Sequence, residues 1–114
     1  MEIIRTDTYR KSLKRLRKPG ATERDIVDME NAAASNPTAG DVIRDTGGLR
    51  KMRFTYGGHG KSSGGRTIYF VLVANDRLFL LVAYAKADQL DLTAEQKKTL
   101  KALASELRGE GGHD

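Results

Sequence analysis

Two apolar runs stand side by side in the second half of the chain. Residues 67–74 and 78–85 are apolar at successive positions, with Asn75-Asp76 between them. A strand with one wet face alternates apolar and polar residues; these two do not, which is the pattern of central strands covered on both faces. Asn75-Asp76 supplies the residue types of a tight hairpin turn. The covering layers are read from the rest of the chain. Residues 2–5 form a short β-branched strand, and Tyr9, Leu13 and Leu16 at i, i+4 and i+7 predict an amphipathic helix over 7–17 that Pro19-Gly20 ends. Thr22 and Asp25 open a second helix whose weak apolar face is Ile26, Met29 and Ala33, and Asn36-Pro37 closes it. Residues 40–48 read as a loop with a short turn around Val42-Ile43. Residues 49–56 alternate as a strand, with Arg50, Met52, Phe54 and Tyr56 on one side and Lys51, Arg53 and Thr55 on the other. Thr93 and Gln96 form a capping box for a last helix with core residues Leu100, Leu103, Ala104 and Leu107, and Gly109 stops it. The order β-α-α-β-β-β-α predicts a small single α+β domain, helices packed on an antiparallel sheet, over residues 1–108, with 109–114 as a flexible tail.

Composition removes several function classes. The 114 residues contain no cysteine and two histidines, so thiolate zinc sites, cysteine nucleophiles and histidine-rich metal cages are excluded. No apolar run approaches the roughly 18 residues of a membrane span, and the first residues have no apolar signal-peptide core. The expectation is a soluble cytoplasmic domain with no membrane partner.

Charge points toward polyanions. Net charge is +5, but residues 5–18 alone carry seven cations against Asp7, and residues 44–66 carry six against Asp45. Two such segments in one small domain suit a surface that faces nucleic acid. For residues 5–18, which include Lys11, Lys14 and Arg15, a solvated helix face or a site for an acidic protein fits equally well. The glycine-rich stretch 57–65 mimics a phosphate-binding loop at Gly60-Lys61-Ser62, yet Thr55 stands where the first glycine of that motif belongs and a strand follows it, so nucleotide hydrolysis is excluded. It reads as a hairpin connection, or more sharply as a flap that places Lys61 on a phosphate. His59 in this loop and His113 in the tail are badly placed for paired acid–base work, and the carboxylates show no metal-ligand set.

Four cations remain. Lys51 and Arg53, two apart, share a strand face; Arg66 begins the next strand and Lys86 ends the one after it. An antiparallel meander gathers them on one side of a sheet. Like charges so placed destabilise unless an anion fills the site. Clustering also lowers a lysine's pKa, which suits it to general-base work, and arginines stabilise charge developing on phosphorus. On spacing alone, four unconnected surface cations are the stronger reading. Arg66 and the α-helical cations Lys11, Lys14 and Arg15 all read as solvent-facing.

Gly40-Asp41-Val42-Ile43 with Thr46-Gly47-Gly48-Leu49-Arg50-Lys51-Met52-Arg53 resembles the RelE/HigB superfamily of bacterial type II toxin–antitoxin toxins. So do Gly60-Lys61-Ser62-Ser63-Gly64-Gly65-Arg66-Thr67-Ile68-Tyr69-Phe70 and Leu80-Leu81-Val82-Ala83-Tyr84-Ala85-Lys86 leading to Asp91-Leu92-Thr93. The resemblance spans residues 40–105. It implies a microbial-RNase-like fold and a ribosome-dependent, metal-independent and cofactor-free mRNA endoribonuclease in which the 2′-hydroxyl attacks the adjacent phosphate. By position it implies Lys51 or Arg53 as base, Arg66 on the phosphate and Lys86 at the leaving group or phosphate, with Arg50, Lys61, Lys11, Lys14 and Arg15 holding RNA. It also implies a cognate antitoxin, of helix-turn-helix type, and the ribosome with mRNA as partners. Some relatives stack a tyrosine on the substrate base; residues 87–93 contain none, and Tyr84, the nearest ring, reads more readily as core. ParE-like relatives inhibit DNA gyrase on the same fold, and a basic RNA-binding module that does not cut is the third reading.

Overall fold

The computed structural model describes residues 1–58, 60 and 63–109. His59, Lys61, Ser62 and residues 110–114, the greater part of the expected tail, lie outside them. The chain runs β1 (Glu2–Arg5), α1 (Asp7–Arg17), α2 (Glu23–Ser35), β2 (Asp41–Val42), β3 (Arg50–Phe54), β4 (Gly65–Leu72), β5 (Arg77–Ala85) and α3 (Ala94–Leu107). The strands form one sheet in the order β1-β5-β4-β3-β2. β4 and β5 occupy its middle, as their unbroken apolar runs require.

Three features depart from the expected order. Asp41–Val42 is a strand, not a loop, pairing antiparallel with Arg50 and Lys51. The turn behind it is made by Thr46, whose hydroxyl accepts from the Leu49 amide and donates to the Ile43 carbonyl. Gly47 and Gly48, both at positive φ, let the chain reverse there. Second, β1 pairs with β5 in parallel, so the sheet is mixed. The two strands are far apart in sequence, and so long a connection lets the chain return in the same direction. Third, β4 begins at Gly65 and ends at Leu72, and a single 3₁₀ turn, Val73–Asn75, followed by Asp76 in the left-handed region, replaces the two-residue hairpin.

Helices cover both faces. Tyr9, Leu13 and Leu16 of α1 and Ile26, Met29 and Ala33 of α2 pack with Met52, Phe54, Tyr69, Leu78, Leu80 and Ala83 on one side. On the other, Leu100 and Ala104 of α3 pack with Ile68, Phe70, Phe79 and Leu81. A bulge between Ile68 and Tyr69 inserts Leu81, so Leu81 and Val82 both belong to the α3 side. Caps fix the helix starts: Thr6 accepts from the Tyr9 amide and donates to the Leu80 carbonyl, joining α1 to β5, and both expected capping boxes form. Each fully buried leucine here contributes about 1.5–3 kcal/mol.

One buried ionic group ties β1, α1 and α2 together. Glu30 is 6% exposed; it accepts from Arg5 at 2.8 and 3.0 Å and from the Tyr9 hydroxyl at 2.8 Å. Burial, and then Glu30, push the Tyr9 phenol far above its ordinary value of 10.0. The folded protein therefore keeps this proton when the unfolded chain loses it, and stability falls as pH rises past 10. Urea midpoints measured from pH 8 to 11 should decline above pH 10, and Tyr9→Phe should flatten that decline; an unchanged slope contradicts the assignment. Glu30→Ala, which strands Arg5 and the buried phenol, should cost about 3 kcal/mol in the same assay at pH 7.

Candidate active site

Strand register assembles the cationic face. β3 and β4 pair Lys51 with Ile68 and Arg53 with Arg66; β4 and β5 pair Ile68 with Val82 and Arg66 with Tyr84. Arg53, Arg66 and Tyr84 thus form one row across three strands, on the side of the sheet that α3 covers only in part. Lys51 lies two residues from Arg53 on the same face. Lys86 directly follows β5, and its amide donates to the Gly64 carbonyl at 2.9 Å, which holds it beside the start of β4. Of the four cations expected to gather on one side of the sheet, register puts Lys51, Arg53 and Arg66 on one face, and Lys86 lies in the turn that follows β5.

Their environments differ. Arg53 is exposed and Lys51 and Lys86 are half-buried. Arg66 is 6% exposed and donates to the Gly65 carbonyl at 2.9 Å, which corrects the solvent-facing reading. β4 is interior, so its side chains are walled by β3 and β5, and an extended arginine in that position is enclosed along its length. Lys51 donates to Asp91 Oδ1 at 3.4 Å, and the same oxygen accepts from the Leu92 amide at 2.8 Å. The Leu92 amide, and after it Lys51, hold the Asp91 carboxyl below its usual range. Asp91 was not singled out by sequence reasoning; its signal is a carboxylate at the foot of α3, five residues beyond Lys86, which only the tertiary fold brings to Lys51.

Tyr84 belongs to the core cluster on the α3 side, as its strand position suggests. Its hydroxyl is buried with no protein hydrogen-bond partner. Burial, and then the Asp91 charge, push the phenol up to about 12, against a lowering pull from Arg66.

The remaining cations lie elsewhere. Arg50 points from the opposite face and donates to the Thr38 and Gly40 carbonyls at 3.2 and 2.7 Å, fastening the α2–β2 connection rather than joining the cationic row. Lys11, Lys14 and Arg15 are exposed on α1, in the layer on the far side of the sheet. Lys61, expected on a phosphate, and His59 lie outside the described residues. A groove of about 420 Å³ between α2 and the edge of β3 is lined by Asp25, Asp28 and Asp41 as well as Lys51 and Arg53; its carboxylates repel phosphate. Among the described residues no group of three or more histidine, cysteine, aspartate and glutamate side chains could hold a metal ion.

Gly64 and Gly65 are what lets Arg66 sit so close to β3. A Cβ on Gly64 would meet the Phe54 carbonyl oxygen, and one on Gly65 the Phe54 ring. Phe54 is itself core, with little room to give. Gly65→Ala should destabilise by about 1–3 kcal/mol, read as a lowered denaturation midpoint; an unchanged midpoint contradicts this packing.

Comparison with known proteins agrees with the architecture. A toxin RelE from Escherichia coli, an arginine-to-alanine double mutant in the free state, superposes with TM-score 0.52 at 20% identity, covering 78% of this chain and 86% of that one. A second structure of the isolated E. coli RelE toxin gives TM-score 0.51 at 18% identity, over 90% and 97% of the two chains. A conserved hypothetical protein from Helicobacter pylori gives 0.55 at 17% identity, over 77% and 97%. At these identities the likeness is one of fold. The family is shown by sequence: the model described as the RelE toxin of the RelE/RelB toxin–antitoxin system matches residues 6–111, and the chain belongs to this family of toxins.

Proposed function

We propose that this toxin is a metal-independent endoribonuclease that cuts mRNA on the ribosome and so inhibits translation. The observation that carries the reading is the row of Arg53 and Arg66, directly opposite each other, with Lys51 beside them. Like charges at directly opposed strand positions repel, and the arrangement is favourable when a phosphate is bound by both. A gyrase-binding surface has no need of such a cluster.

The chemistry the site suits is transesterification at phosphorus. The 2′-hydroxyl passes its proton to Lys51, O2′ bonds to phosphorus, and the P–O5′ bond breaks as Lys86 delivers a proton to O5′. The products are a cyclic phosphate and a 5′-hydroxyl. Arg66 and Arg53 neutralise charge growing on the non-bridging oxygens, and burial makes Arg66 the more effective of the two. Lys11, Lys14 and Arg15, on the other layer, are suited to holding ribosomal RNA. The cognate antitoxin that the family implies, proposed here to be of helix-turn-helix type, then shields one or both basic surfaces. No described helix is long and apolar enough to cross a membrane, and the ribosome places the activity in the cytoplasm.

Expression without antitoxin should arrest protein synthesis, and mapping mRNA 5′ ends should show new cuts only in translated regions. Comparable cutting of naked RNA at equal toxin, or inhibited plasmid supercoiling with intact mRNA, contradicts the reading. The two basic surfaces should also separate kinetically. Arg66→Ala should slow single-turnover cleavage at saturating ribosome by roughly 10²–10³ with affinity little changed. Lys11→Ala, Lys14→Ala and Arg15→Ala combined should weaken ribosome binding and reduce its salt dependence while leaving the saturated rate near normal. Equal losses of rate and affinity in both variants contradict this division.

A further inference from the structure

The Tyr84 hydroxyl is, among the described residues, the one buried side-chain polar atom with no protein hydrogen-bond partner. The residue is 7% exposed and sits at the end of the row Arg53–Arg66–Tyr84. Buried hydroxyls are ordinarily satisfied, because leaving one unmade sacrifices its hydration for nothing. The two fully buried tyrosines follow that rule: Tyr9 donates to Glu30 and Tyr69 to the Pro37 carbonyl. A phenylalanine would fill the same space at position 84 without the penalty. The exception lies where an anion is expected, and one anion is already close: Asp91, exposed on the β5–α3 connection, holds Lys51.

We propose that Tyr84 is a further catalytic residue of this site, its hydroxyl donating a hydrogen bond to a non-bridging oxygen of the scissile phosphate, which enters by replacing the Asp91 carboxylate on Lys51. The inference rests on the RNA-cleaving reading above. A phosphate brings more acceptor oxygens than a carboxylate, so one group can accept from Lys51, Arg66 and Tyr84 together. The phenol transfers no proton. It remains protonated, held there by burial and by Asp91, and its hydrogen bond strengthens as negative charge gathers on the phosphoryl oxygens while O2′–P forms and P–O5′ breaks. The proton passed from the 2′-hydroxyl to O5′ travels through the cations.

The test is Tyr84→Phe in the full chain. A donor to a charged group is worth about one to two orders of magnitude, so single-turnover cleavage at saturating ribosome should fall 10- to 100-fold. Ribosome affinity should stay within about twofold, and the thermal midpoint should equal or exceed that of the parent protein, since an unsatisfied hydroxyl has been removed. A sulfur in place of one non-bridging oxygen of the scissile phosphate should slow the parent protein more than Tyr84→Phe, a difference that a packing role does not produce. If the parent cleaves and Tyr84→Phe cleaves within twofold of it, the inference falls and the cleavage reading stands. A slower variant that also has a lower midpoint and an unaltered sulfur effect assigns Tyr84 to packing and likewise overturns it. A parent protein that does not cut ribosome-bound mRNA overturns both.

Discussion

Arg53 and Arg66 are directly opposed across the β3–β4 pair, two like charges at one cross-strand position. On its own such a pair weakens the sheet. Here it is held by what surrounds it: β4 and β5 pair over eight residue positions, helices bury both faces of those strands, and Gly64-Gly65 bring the start of β4 flush against Phe54. The core thus fixes an arrangement of charge that the local sequence would not choose. That is the usual relation between a catalytic constellation and its scaffold, in which packing stabilises what the site alone opposes.

The layers divide the basic surface in two. α1 and α2 seal one face of the sheet, and the α1 cations lie outside that seal; α3 packs on the other face, where Arg53 is exposed, Lys51 half-buried and Arg66 buried. Arg50 shows how sharply the pleat makes the division. It precedes Lys51 by one residue, yet alternation sends it to the opposite face, where it clamps the backbone of Thr38 and Gly40. Its charge serves the fold and not the cationic face. The same distinction separates Glu30, an acid enclosed by Arg5 and Tyr9, from Asp91, an acid at the mouth of the site.

Much of this was readable from the sequence because it is local. The starts of α2 and α3 depend on Thr22 and Thr93 and residues three positions on; the central strands depend on unbroken apolar runs; the shared face of Lys51 and Arg53 depends only on the period of a strand. What escaped is set by pairing at a distance. The parallel partnership of β1 with β5 joins segments more than seventy residues apart, and no pattern within either strand encodes its direction. β2 is too short to alternate and exists because Arg50 and Lys51 offer it an edge. The burial of Arg66 follows from β4 being interior, whereas an arginine next to a glycine-rich loop reads as a surface residue. Asp91 reaches Lys51 across forty residues, and the isolation of the Tyr84 hydroxyl is a property of its surroundings with no counterpart in composition or spacing.

The central claim is that Lys51 and Arg66, on neighbouring strands, act on a single phosphate. A double-mutant cycle tests it directly, with Lys51→Ala, Arg66→Ala and the combined variant compared by single-turnover cleavage of ribosome-bound mRNA at saturating ribosome. Groups that serve one transition state are strongly non-additive. The combined variant should therefore be slowed to within about tenfold of the slower single variant. Losses that multiply, so that the combined defect equals the product of the two single defects, would show two cations working independently and contradict the account.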